Sequence, residues 1–136
     1  MDVSAFEQIP LFQGFSRQQL EEVAKLAISK SFADGATVLA QGDFGRHFLI
    51  ILNGRAEVIW DSKNGERVLI AELQQGDFFG ERAAIRSGSR TANVVARGNL
   101  ECAILTQWDV LAVLRADQAN MGAFLERLRS RYLLPE

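Results

Sequence analysis

The chain has 136 residues, 48% hydrophobic, 24% charged and 9% aromatic, with a formal net charge of −2. That is the size and balance of one folded domain with its own core, which excludes disordered, collagen-like and proline-rich classes. An isoelectric point near 5.5 speaks against a broad nucleic-acid-binding face.

The N-terminal residues lack the basic-then-apolar order of a secretory signal. The longest aliphatic-aromatic run, Phe48 to Leu52, is far short of a membrane span. One cysteine, Cys102, cannot make an intramolecular disulfide, so a reducing, cytoplasmic setting with no membrane partner is expected.

In chain order, Phe6, Ile9, Leu11 and Phe12 surround Pro10 and predict a short helix or turn. Ser16 and Gln19 have the spacing of a capping box, with Phe15 and Leu20 placed as a staple. Leu20, Val23, Ala24, Ala27 and Ile28 then recur at helical spacing. The helical part is expected to reach about residue 30.

From Phe32 the apolar period falls to two, and glycines at 35, 42, 45, 54, 65, 76, 80, 88 and 98 punctuate the chain. Strands are expected at 37–40, 47–52, 55–60, 67–73, 92–96 and 100–105, within a β-rich unit over 31–105. Asn64-Gly65 marks a hairpin turn. The apolar run after His47 predicts a strand buried on both faces. The helical period returns at Thr106, where Thr106 and Asp109 form a second capping box, with Leu105 and Val110 as the staple pair. That helix should end near 115–117, and another should follow from 118 to 133, in a helical region over 106–134. Its stripe is Met121, Phe124 or Leu125, Leu128 and Tyr132. No linker, repeat or low-complexity stretch interrupts the chain, so residues 1–136 are read as one domain.

The segment from Asp77 to Thr91 is hard to explain as packing. It reads Asp-Phe-Phe-Gly-Glu-Arg-Ala-Ala-Ile-Arg-Ser-Gly-Ser-Arg-Thr. Gly80 permits close backbone approach, and Glu81 to Ile85 could form one helical turn whose N-terminal amides suit an anion. Arg90 and Thr91 add a guanidinium and a hydroxyl, a set able to hold a phosphate. Glu81 could then accept from a ligand hydroxyl. On residue types alone, the segment also reads as a solvated connection whose arginines pair with nearby acids.

Phe79-Gly80-Glu81-Arg82-Ala83-Ala84-Ile85, followed by Arg90-Thr91-Ala92-Asn93-Val94, resembles the phosphate-binding cassette of cyclic nucleotide-binding domains. Ile9-Pro10-Leu11-Phe12 with Phe15-Ser16 is similar to the family's entry into its first helices. Gly42-Asp43, the run from Phe48 to Val58, and Gly76 to Gly80 are similar to its early strands and cassette approach. The resemblance covers nearly the whole chain. It implies an α+β fold: an eight-stranded antiparallel, jelly-roll-like β-roll flanked by N-terminal helices and two C-terminal helices. It further implies that Glu81 takes the ribose 2′-hydroxyl and Arg90 the cyclic phosphate. Thr91, Ala92 and the backbone amides from Gly80 onward complete the cradle. Phe79, Arg82 and Ala83 belong to the same expected ligand-binding segment, although Arg82 stands where the family often has an aliphatic residue and is assigned no side-chain contact. A residue of the last helix should cap the base: Leu128, Arg131 and Tyr132 are the leading candidates, with Phe124 and Leu125 beside them.

His47 reads as structural or surface, because metal-binding barrels need several histidines. Cys102, alternating with Leu100 and Ile104, reads as a buried small hydrophobe, and Trp60 and Trp108 as core or half-buried. The expected function is a regulatory sensor, not an enzyme and without cofactor or metal, that binds cAMP ahead of cGMP. The resemblance also implies that Thr91 puts a hydroxyl where, in cGMP-selective relatives, it can reach the guanine amino group, although Thr also occurs there in cAMP-preferring relatives. Ligand would close the C-terminal helices over the site, and the last helix could meet an effector or a second copy. The chain shows no DNA-reading helix after Tyr132, no pore and no kinase motif, so a free-standing or excised regulatory piece is expected. The competing reading is a β-roll interaction scaffold that binds no nucleotide. An enzyme ranks third, because no nucleophile, base or metal cluster stands out.

Overall fold

A computed structural model describes residues 1–80 and 90–129. Two 3-10 turns, Val3–Phe6 and Pro10–Phe12, precede helix α1, Arg17–Leu26. Six strands follow among the described residues: β1 Ile28–Phe32, β2 Thr37–Leu39, β3 His47–Asp61, β4 Arg67–Leu73, β5 Phe78–Phe79 and β6 Asn93–Thr106. Helices α2, Gln107–Val113, and α3, Gln118–Arg129, close the described chain.

Both predicted capping boxes form. Gln19 N donates to Ser16 Oγ at 3.1 Å, and Ser16 N donates to Gln19 Oε1 at 2.8 Å. Asp109 N donates to Thr106 Oγ1 at 3.1 Å, and Thr106 N to Asp109 Oδ2 at 3.0 Å. Such a side-chain cap contributes about 1 kcal/mol. Helix α1 stops at Leu26, short of the expected residue 30. Ile28 instead begins β1, opposite Ile104 of β6, where an antiparallel partner satisfies the backbone and suits the β-branched side chain.

The expected eight strands become six described ones because two pairs fuse. Residues 47–52 and 55–60 lie in one 15-residue strand, β3. Residues 92–96 and 100–105 lie almost entirely in one 14-residue strand, β6. Each long strand serves two rows. The first half of β3 pairs with β5 and with the end of β6, which also carries β1. The second half of β3 pairs with β4 and with the start of β6, which also carries β2. The change of row occurs where the β3–β6 register shifts on both sides of Asn53. Gly54 follows, with a φ of +97°, and a Cβ there would run into the carbonyl oxygen of Asn99. Between β3 and β4 the chain turns at Asn64-Gly65, with Ser62 N donating to Glu66 O at 2.8 Å.

Strand alternation divides the interior into two cores. Phe48, Ile50, Phe78, Ala103 and Leu105 pack with the helical residues Phe6, Phe12, Val23, Val110, Phe124 and Leu128. Leu49, Ile51, Phe79, Leu100 and Cys102 face the other way, into the roll with Ala56, Val58, Ala92 and Val94. Trp60 is half-buried, but Trp108 is exposed, because α2 turns Val110 into the core instead, where Leu114 just after the helix also packs. Among the described residues no helix is long and apolar enough to cross a membrane.

Candidate functional site

The site is built where β5 ends. Phe79 pairs with Leu49 and is fully buried in the roll core. Gly80 follows at a φ of +83°, a conformation that costs a glycine little and most other residues more. Its carbonyl, with that of His47, holds Arg90: Nη1 donates to Gly80 O at 3.0 Å and to His47 O at 2.8 Å. Arg90 is only 7% exposed.

The backbone of Arg90 is fixed by the β2–β3 loop. Arg90 N donates to Asp43 O at 2.6 Å, and Gly42 N donates to Arg90 O at 2.9 Å. A guanidinium so located lies in a low-dielectric setting where its attraction to an anion is stronger than in water. It also presents the planar donor geometry that phosphate favours. Beside it, Thr91 is exposed and Ala92 is buried in the roll core. Asn93 anchors the next turn of chain. Its amide donates to Ile59 O at 3.2 Å and Asp61 Oδ2 at 2.9 Å, and its oxygen accepts from Gln41 N at 2.9 Å.

The structure thus brings Phe79, Gly80, Arg90 and Ala92 together, with Thr91 at the surface beside them. Glu81, Arg82 and Ala83 lie outside the described residues, as do the candidate caps Arg131 and Tyr132. Leu128 and Phe124 are fully buried in the helical core, and Leu125 is half-buried against it. As placed, Leu128 is a core residue, and it would have to leave that cluster to cover a base. His47 is exposed, and its carbonyl, rather than its imidazole, serves the site. Cys102 is fully buried, and burial first, with the Glu101 charge second, pushes its thiol up to about 12. That is the environment of an inert packing residue.

The residues that sequence reasoning missed lie in and after the loop before β3. They are Asp43 and His47, whose carbonyls accept from Arg90, and Gly45, which lies against its guanidinium. The glycine pair at 42 and 45 was the available signal, but it reads as a turn until Arg90 is seen against it.

Comparison with known proteins agrees with this geometry. A sequence profile described as cyclic nucleotide-binding domain matches residues 29–117, more than half of the chain. A cAMP-dependent protein kinase regulatory subunit from Blastocladiella emersonii is 38% identical over 99 residues, which are 73% of this chain and 25% of that protein. The one from Mucor circinelloides f. lusitanicus is 31% identical over 127 residues, 88% of this chain and 30% of that protein. The chain therefore spans only a quarter to a third of the length of these curated relatives. Among solved structures, the regulatory domain of Toxoplasma gondii PKA with cAMP superposes with a TM-score of 0.79 at 26% identity, over 96% of this chain and 49% of that one. The Thermus thermophilus catabolite activator protein gives 0.79 at 25% identity, over 90% of this chain and 57% of that one. With an antiparallel roll, a buried arginine bonded to the glycine that follows β5 and a profile match across both, the chain belongs to the cyclic nucleotide-binding domain family.

Proposed function

We propose that the chain is a single sensor module that binds a 3′,5′-cyclic nucleotide inside the roll and performs no catalysis of its own. The observation that carries this is Arg90: buried, with its guanidinium fixed on the carbonyls of Gly80 and His47 at the head of the roll core. In this reading Arg90 binds the cyclic phosphate and Glu81 the ribose 2′-hydroxyl. Gly80, Ala83, Thr91 and Ala92 shape the cradle between Phe79 and the loop before β3. The kinase regulatory subunits among the relatives and the cAMP-bound regulatory domain among the similar structures favour cAMP over cGMP.

Binding closes the C-terminal helices over the base, driven by no more than the ligand's differential affinity for the open and closed arrangements. The cap comes from Leu128 of the last helix, which would leave the helical core to serve, or from Arg131 or Tyr132, which lie outside the described residues. An effector protein or a second copy then reads the altered helix surface. A single cysteine, Cys102, buried and without a disulfide, suits the cytoplasm as the compartment.

Calorimetric titration of nucleotide-stripped protein with cAMP and cGMP tests the reading. Wild type should bind with micromolar or tighter affinity. Arg90→Ala should cost roughly 2–4 kcal/mol, because it leaves a buried phosphate charge unpaired; that is about 30- to 1,000-fold in affinity. Silence from wild type toward both nucleotides would leave a roll-shaped interaction scaffold instead.

A further inference from the structure

Eight glycines of the described chain have a positive φ, a backbone conformation that favours glycine whatever the space around it. Gly45 is different. Its φ lies outside the left-handed region, so that region's preference for glycine does not account for it. What its position lacks is space. A Cβ built on Gly45 would collide with Nη2 of Arg90 and lie 2.7 Å from Cζ and 2.8 Å from Nε. All three nearest atoms belong to the one guanidinium. On its other side, a Cβ on Gly80 would lie 2.9 Å from Nη1. The guanidinium is thus flanked by two residues without side chains.

We propose that Gly45 is a positioning residue of the anion site: its missing side chain makes the room in which the Arg90 guanidinium sits at phosphate-binding height. This rests on the reading of Arg90 as the phosphate ligand. The atoms that a side chain at 45 would strike are the far end of a flexible arginine, which can swing away. The fold therefore tolerates a substitution that the site does not. Stability and ligand binding separate at this position, unlike at Gly80, where the backbone conformation is also at stake.

The test is Gly45→Ala, with Gly45→Ser as a second variant and Leu69→Ala, on an exposed position of β4 outside the β2–β3 loop, as the control. Melting temperatures report folding. In ligand-free protein, the Arg90 Nε–Hε signal in a ¹⁵N correlation spectrum, assigned by its loss in Arg90→Lys, reports the guanidinium. We expect Gly45→Ala to melt within a few degrees of wild type and to shift the Arg90 signal or speed its exchange with water. It should weaken cyclic-nucleotide binding by at least about tenfold. Added to Arg90→Lys, it should cost less than about threefold more, the non-additivity expected of residues in contact. Leu69→Ala should leave signal and affinity alone. An unmoved Arg90 signal, or equal losses with and without Arg90→Lys, would overturn the proposal. If wild type binds no cyclic nucleotide, the ligand reading fails, and the Arg90 signal still decides whether Gly45 positions the guanidinium.

Discussion

At the scale of single residues, the site depends on main-chain oxygens more than on side chains. Arg90 reaches His47 O across 43 positions of sequence and Gly80 O across 10. The arginine itself was legible in the sequence, since it follows a glycine-bearing segment and precedes a hydroxyl. Its holders were not, because a carbonyl has no residue type and only the fold brings residue 47 to residue 90. Thr91 is exposed next to this anchor, where its hydroxyl is free of packing demands. Thr91→Ala should therefore cost less affinity than Arg90→Ala, and should weaken cGMP more than cAMP in competition titrations. Equal loss for both nucleotides would remove Thr91 as a selectivity device.

At the scale of elements, the sequence located helix starts better than strand ends. Ser16 and Thr106 cap their helices as their spacing predicts, because a capping box is a local interaction. The end of α1 at Leu26 and the fusion of strand pairs into β3 and β6 are decided by partners far away in sequence, which periodicity cannot register. The junction of α1, α2 and α3 adds a further test. Asp117, just before α3, accepts from Gln19 Nε2 at 3.0 Å, Asn120 N at 3.1 Å and Asn120 Nδ2 at 2.8 Å. The Gln19 bond first, and the Asn120 backbone bond next, hold its carboxyl below the usual carboxylate range. A carboxyl lowered on folding stabilises the native state above its unfolded pKa, and that contribution is lost as pH falls through the folded value. Wild type should therefore exceed Asp117→Asn in urea midpoint at pH 7, and the gap should close as the pH is taken below about 4. A gap unchanged across that range would show that the charge plays no part.

At the scale of the whole molecule, two cores share the same strands. Phe78 enters the helical core with Phe124 and Leu128, while the next residue, Phe79, enters the roll core with Ala92. Gly80 and its contact with Arg90 follow at once. A shift of the chain at Gly80 is thus one and two residues from side chains in both cores, so the proposed anion site lies a short way along the chain from residues that pack on the terminal helices. Close packing transmits such shifts rather than absorbing them. The general plan of helices, roll and helices was legible from the changes of apolar period. The division of the roll residues between two cores also follows from alternation, once the register of β3 and β6 is known.

The most direct measurement is hydrogen–deuterium exchange with and without saturating cAMP, with cGMP alongside. The account predicts slower exchange in two places: the loop from Gly42 to His47 with the start of β6, and the helices Gln107–Val113 and Gln118–Arg129. Unchanged exchange in both regions, at nucleotide concentrations in the millimolar range, would contradict it.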